Sequence, residues 1–222
     1  MSLKAALLDF DGVIVESVDL KTEAFRTLFA QEQKALPAIL ALHRNNGGMS
    51  RFEKFDIIYR DILRRPLVTE EKDRLGRQFS ELVVEQVVAC PWVRGAREWL
   101  ARHLHRLPLF LISATPTEEL RHIVSRRELG RYFREVHGSP PDKTEVTRDI
   151  LARHGWTPDE VVFVGDAPND HAAASAIGVR FVGRVPSGRE SPFAPDVETV
   201  PDLAYLDLPL TIGVPAIPQA HE

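Results

Sequence analysis

The stretch Ala5-Ala6-Leu7-Leu8-Asp9-Phe10-Asp11-Gly12 decides the fold. Four apolar residues are too few for a helix, and they run straight into acid and glycine, the pattern of a short buried strand that ends in a turn. Two other runs repeat it: Leu109 to Ile112, followed by Ser113-Ala114-Thr115, and Val161 to Val164, followed by Gly165-Asp166. Helical patterns lie between the later runs, at Glu118 to Leu129, Glu145 to Arg153 and Asp170 to Ala176, before a further strand at Arg180 to Val182. Strand alternating with helix predicts an α/β fold built on a parallel sheet with helices on both faces.

Residues 17–90 break that rhythm. They carry helical patterns at Lys21 to Ala30, Ala38 to Asn45, Arg51 to Leu63 and Glu70 to Val88, and no strand pattern. The economical reading is a helical insertion after the first strand, giving a core of residues 1–15 and 93–212 and a cap of residues 16–92. Segments near Val15 to Ser17 and Pro91 to Arg94 would join the two parts and form a hinge. Residues 213–222, rich in Pro and Ala, are expected to be a flexible tail.

Composition narrows the class. Apolar residues make up 44% and charged residues 27% of the 222, ordinary values for a globular chain, so global disorder is excluded. The net charge of −4, with Lys and Arg scattered, argues against a nucleic-acid partner. The single cysteine, Cys90, cannot form an internal disulfide, which suits a reducing compartment. The absence of a basic leader or a long apolar run points away from a membrane and to a cytoplasmic protein.

Chemistry is expected at the carboxyl ends of the strands, where open parallel sheets bind ligands. Period two along the first strand end sends Asp9 and Asp11 to the same side. Two carboxylates held together favour a bound cation or a proton between them, although Asp-Gly is also a common turn. After the second run, Thr115 is expected to cap a helix with Pro116 at its first position and Glu118 completing a capping box, which puts Ser113 just before a helix N-terminus, a place for an anion. Asp142 and Glu145 form a second capping box, and Lys143 in its first turn opposes the helix dipole unless an anion lies near. The third run ends in Gly165-Asp166-Ala167-Pro168-Asn169-Asp170, again acidic. Separate turns would not need acid, hydroxyl and acid on three strand ends with a lysine between them. Together they suit a divalent cation and a phosphate.

At these residues the chain resembles the haloacid dehalogenase superfamily, whose motifs are matched in order by Asp9-Phe10-Asp11-Gly12-Val13, Ser113, Lys143, and Gly165-Asp166 with Asp170. The resemblance, to the branch of phosphoglycolate phosphatases and β-phosphoglucomutases, covers residues 3 to 185. It implies a Rossmann-like core with a helical cap inserted after the first strand, Mg²⁺ dependence and a phosphoaspartate intermediate. By that likeness Asp9 is the nucleophile and Asp11 the acid/base. Ser113, Ala114 and Lys143 bind the phosphoryl group. Asp9, Asp166 and the Asp11 carbonyl hold the metal, with Asp170 orienting or joining the shell. Dehalogenase members lack an acid at the position of Asp11, and phosphonate-cleaving members have a small residue there, so phosphoryl chemistry is favoured. Glu16-Ser17 departs from the usual Asp-Ser at the cap hinge, which puts any borrowed hinge hydrogen bond in doubt.

The cap segment Asn45-Asn46-Gly47-Gly48-Met49-Ser50-Arg51-Phe52-Glu53-Lys54 also resembles a substrate loop of such enzymes. Ser50 and Glu53 form a capping box, whereas Arg51 and Lys54 are basic where the helix dipole disfavours them, so Arg51, and secondarily Lys54, are candidates to touch the substrate. The expected activity is a Mg²⁺-dependent phosphatase acting on a small phosphorylated metabolite. The alternatives are a sugar phosphomutase, which would share every catalytic residue, and a phosphorylation-switched binding module, which needs no cap.

Overall fold

The structure, a computed structural model, describes residues 3–208. Six parallel strands form one sheet in the order β3-β2-β1-β4-β5-β6, with β1 (Ala5–Leu8), β2 (Leu109–Pro116), β3 (Glu135–Ser139), β4 (Val161–Gly165), β5 (Arg180–Arg184) and β6 (Thr199–Val200). Every residue of β1 is buried because both of its edges are paired, Leu7 with Phe110 on one side and Phe163 on the other. Successive side chains serve opposite faces. Ala5 and Leu7 pack with Phe110, Ile150 and Phe163, while Ala6 and Leu8 pack with Leu109, Leu111, Val162 and Val164.

Between β1 and β2 come the helices α1 (Val18–Leu28), α2 (Leu36–Asn45), α3 (Arg51–Ile57), α4 (Thr69–Ala89) and α5 (Ala96–His103). The first four are the inserted cap. The helix expected over Arg51 to Leu63 widens into a π turn at Ile58–Ile62, where the Leu63 N–H reaches the Ile58 carbonyl. Phe25, Phe29, Phe55 and Phe79 cluster inside the cap, Phe25 and Phe79 meeting edge to face at 5.0 Å. The two connecting segments lie side by side: the Glu16 N–H donates to the Pro91 carbonyl and the Val93 N–H to the Ile14 carbonyl, each at 3.0 Å.

After β2 follow α6 (Thr117–Arg126), α7 (Lys143–His154) and α8 (Pro168–Ser175). The Asp142–Glu145 capping box forms. The expected Thr115 cap does not, because β2 runs on through Pro116 and α6 begins at Thr117 with no side-chain cap. Strands β3 and β6 are not among the strands expected from sequence: β3 is Glu-Val-His-Gly-Ser, only part-buried at the sheet edge, and β6 is two residues long. The tail expected at residues 213–222 falls outside the described residues. Among the described residues no helix is long and apolar enough to cross a membrane.

Candidate active site

The carboxyl ends of β1, β2 and β4 and the cap above them enclose a cavity of about 520 Å³. Asp9 leaves β1 with its N–H on the Val164 carbonyl at 2.9 Å, which fixes the nucleophile candidate against β4. Its Oδ1 is 2.8 Å from Lys143 Nζ. The first turn of α7 thus points its lysine inward, and the negative partners that offset its conflict with the helix dipole are Asp9 and the fully buried Asp170, 2.5 Å away. The other Asp170 oxygen accepts the N–H groups of Asp166 and Ala167, holding the loop after β4.

Asp9, Asp166 and Asp170 each present an oxygen within 4.8 Å of the others. Burial, partly countered by Lys143 and reinforced by Asp170 and Asp11, pushes the Asp9 carboxyl up to about 7. Burial and then the charges of Asp9 and Asp170 hold Asp166 well above the usual carboxylate range. Lys143 titrates above an ordinary lysine, because the two acids outweigh its own burial. Three carboxylates, Asp9 and Asp170 buried and Asp166 half-buried, facing one ammonium leave uncompensated negative charge on hard oxygen donors, a set that fits a divalent cation such as Mg²⁺. Gly12 makes the approach possible: its φ is +70° and a Cβ there would overlap the Asp166 carboxylate.

Asp11 lies in a different setting. Its carboxylate accepts from the Ser17 hydroxyl at 2.5 Å and from Lys21 Nζ at 2.5 Å, and Lys21 also donates to the Thr115 hydroxyl at 2.9 Å. Burial would raise its pKa, but Lys21 and Ser17 hold it below the usual value. Ser113 is buried with its hydroxyl accepting the Thr115 N–H at 3.1 Å, and the cavity wall at this strand end is Ala114 and Thr115.

In the cap, Arg51 and Lys54 both line the cavity and are both buried. The Arg51 guanidinium forms a two-pronged ion pair with Glu119 of α6, donates to the Ser80 hydroxyl at 2.9 Å and lies 4.4 Å over the Phe79 ring. Lys54 Nζ stands 3.2 Å from His43 Nδ1. The Gly47-Gly48 pair lets the cap loop press on the core, since a Cβ on Gly47 would come within 2.9 Å of Ala167 Cβ. Glu16 uses its length: Arg184, at the end of β5, grips its two oxygens at 2.7 and 3.1 Å and donates to the Gly12 carbonyl at 3.2 Å. His171 packs against Phe181 and Phe193, 5.1 and 6.2 Å between ring centres.

Lys21, His43, Thr115, Glu119 and Arg184 are absent from the site expected from sequence. Lys21 carries a usable signal, four residues after Ser17 and so on the same helical face. Arg184 ends a parallel strand at the ligand-binding edge. His43 and Glu119 are brought in by tertiary packing alone.

The model of the haloacid dehalogenase-like hydrolases matches residues 6–184, and the chain belongs to that family. A phosphorylated carbohydrates phosphatase of Thermotoga maritima is 31% identical over 193 residues, spanning 81% of this chain and 84% of the relative. Phosphoglycolate phosphatase 1 of Pseudomonas aeruginosa is 26% identical over 194 residues, 80% of this chain and 67% of the relative. Among solved structures, a β-phosphoglucomutase from Clostridium difficile shares the fold with a TM-score of 0.73 at 17% identity, covering 92% of this chain and 93% of that one.

Proposed function

We propose that this protein is a Mg²⁺-dependent phosphatase that hydrolyses a small phosphorylated metabolite through an aspartyl-phosphate on Asp9. The observation that carries the reading is the placement of Asp9, buried at the end of the central strand, paired with Lys143 and open to the cavity beside Asp11 and Asp166. The named activities of the Thermotoga and Pseudomonas relatives support phosphoryl transfer to water from a small organic phosphate.

Asp9 and Asp166, with the Asp11 carbonyl, are the groups that would hold the ion. When bound, Mg²⁺ supplies positive charge that offsets the repulsion between the Asp9 carboxylate and a phosphate dianion. Lys143 and the backbone around Ser113-Ala114 hold the phosphoryl oxygens. An Asp9 oxygen attacks phosphorus in line, the ester P–O bond breaks, and the departing alkoxide takes a proton from Asp11. Asp11, now a carboxylate, takes a proton from water as that water attacks the acyl phosphate, which frees Asp9 and inorganic phosphate. Lys21 favours the ionised form of Asp11, the form needed in this second step.

A phosphate-release screen of sugar phosphates, 2-phosphoglycolate and nucleotides with Mg²⁺ tests the activity. Borohydride reduction of enzyme quenched during turnover tests the intermediate, which it converts to homoserine at position 9. Equal phosphate release by wild type and folded Asp9→Asn protein would overturn the assignment.

A further inference from the structure

Four cations are buried among the described residues: Arg51, Lys54, Lys143 and Arg184. Three have carboxylate partners, Arg51 in Glu119, Lys143 in Asp9 and Asp170, and Arg184 in Glu16. Lys54, 4% exposed and lining the cavity, makes no ion pair among the described residues. Its ammonium donates to His43 Nδ1 at 3.2 Å and reaches the His43 carbonyl at 3.4 Å, with the Phe25 ring 5.8 Å away. Accepting at Nδ1 leaves the His43 proton on Nε2, so the imidazole adds no charge of either sign. Burial and the neighbouring Lys54 push its titration down to about 3, which keeps it neutral.

A buried ammonium without a counter-charge is costly in the free protein, and an anion entering the cavity removes that cost. Arg51 differs. Both of its outer nitrogens are spent on Glu119, an acid of the core helix α6 that reaches across the boundary with the cap. The cap therefore sets two buried cations on the cavity wall, Arg51 and Lys54, and leaves Lys54 unanswered.

We propose that Lys54, braced by His43, is the cavity's second anion-binding point, that Glu119 withdraws Arg51 from that task, and that the substrate is a phosphomonoester carrying one further anionic group, carboxylate or phosphate. The inference rests on the phosphatase reading and names its substrate class. The transferred phosphoryl group meets Lys143 and the carboxylate cluster, and the remote anion meets Lys54.

The test compares kcat/KM for three ester series with two to four carbons: ω-carboxyalkyl phosphates beginning with 2-phosphoglycolate, ω-hydroxyalkyl phosphates, and alkanediol bisphosphates. Wild type is expected to prefer one anionic series over the hydroxyl series at its best length by roughly tenfold or more, the worth of a charged hydrogen bond. Whether the carboxylate or the bisphosphate series leads identifies the anion. In Lys54→Met that ratio collapses toward one, chiefly through KM, and Lys54→Arg restores most of it. In Glu119→Gln the freed Arg51 raises the ratio of bisphosphate to hydroxyl ester about fivefold or more. Circular dichroism confirms that each variant is folded, and Lys54→Gln provides a second neutral variant. Equal kcat/KM for all three series in wild type, or an unchanged ratio in folded Lys54→Met and Lys54→Gln, overturns the anion point. An unchanged bisphosphate ratio in Glu119→Gln overturns the role given to Glu119. Failure to hydrolyse any ester would instead remove the phosphatase reading, and this inference with it.

Discussion

The ammonium of Lys21, in the first turn of the first cap helix, stands 2.5 Å from an Asp11 carboxylate oxygen at the end of the central strand. A cap residue thus controls the ionisation of the acid/base candidate in the core. Removing that charge in Lys21→Met should raise the Asp11 pKa. Dephosphorylation, for which the proposed mechanism uses Asp11 as a base, should then slow more than phosphorylation, and a burst of released alcohol should precede the steady state in rapid-quench experiments. A burst-free time course with unchanged kcat would count against this coupling.

The same pair sets acid stability. The folded pKa of Asp11 lies below its unfolded value, so its contribution is present above about pH 4 and is lost as pH falls through the lower, folded value. Lys21→Met loses this contribution. In EDTA, melting curves from pH 3 to 6 should place the variant below wild type at pH 6 and bring the two together toward pH 3. Superimposable curves would contradict the assignment.

The carboxylate cluster has the opposite sign. Asp9 titrates near 7 and Asp166 well above the usual range, so the folded, metal-free protein binds more protons than the unfolded chain between about pH 4 and 7. Its melting temperature in EDTA should rise as pH falls from 7.5 to 5.5. Millimolar Mg²⁺ should raise it at pH 7.5 and flatten the dependence, and Asp166→Asn should weaken both effects. A Mg²⁺ shift of the same size in Asp166→Asn would remove Asp166 from the metal site.

Arg51 and Glu119 should behave as a unit. Glu119→Ala strands a buried guanidinium and should cost about 3 kcal/mol, the low end for breaking a buried pair, because Ser80 and Phe79 still engage it. The double variant Arg51→Met, Glu119→Leu should recover most of that loss. Urea titrations of wild type, Arg51→Met, Glu119→Leu and the double variant measure the coupling, and additive losses would show that the two residues act independently.

Lys54 should be a stability liability. Burial, and then the charge of Lys21, push its pKa down to about 7, so below that value the folded state holds an unfavourable charge that the unfolded chain solvates. Lys54→Met should therefore melt higher than wild type, by more at pH 6 than at pH 9. A lower melting temperature at pH 6 would mean that the ammonium supports the cap.

Strands β1, β2 and β4 are legible in the sequence because a parallel strand buried on both faces leaves a continuous apolar run, and β3 is not because an edge strand leaves none. The carboxyl-end rule is enough to bring Asp9, Asp11 and Asp166 together, whereas the charges of Lys143 and Arg51 give only half of the answer. Each implies a nearby anion, and each has one within the chain, Asp9 and Asp170 for the first and Glu119 for the second. No local pattern signals Glu119, because its meeting with Arg51 depends on how α6 lies against the cap. Glu16 shows the same limit: its departure from Asp is visible in the sequence, but its partner Arg184 is not.

The central place of β1 has a consequence for the order in which the molecule can be made. Ala6 pairs with Leu109 and Val162, roughly a hundred residues and more along the chain. A ribosome that has just finished the cap has therefore released a strand that is wholly buried in the finished fold with both edges bare, while the cap helices already have one another. Contacts of such long range slow folding and expose unpaired strand edges to aggregation. The insertion that covers the candidate active site in the finished molecule is also the first part of the growing polypeptide with apolar partners close by, and it delays the pairing of the strand from which it departs.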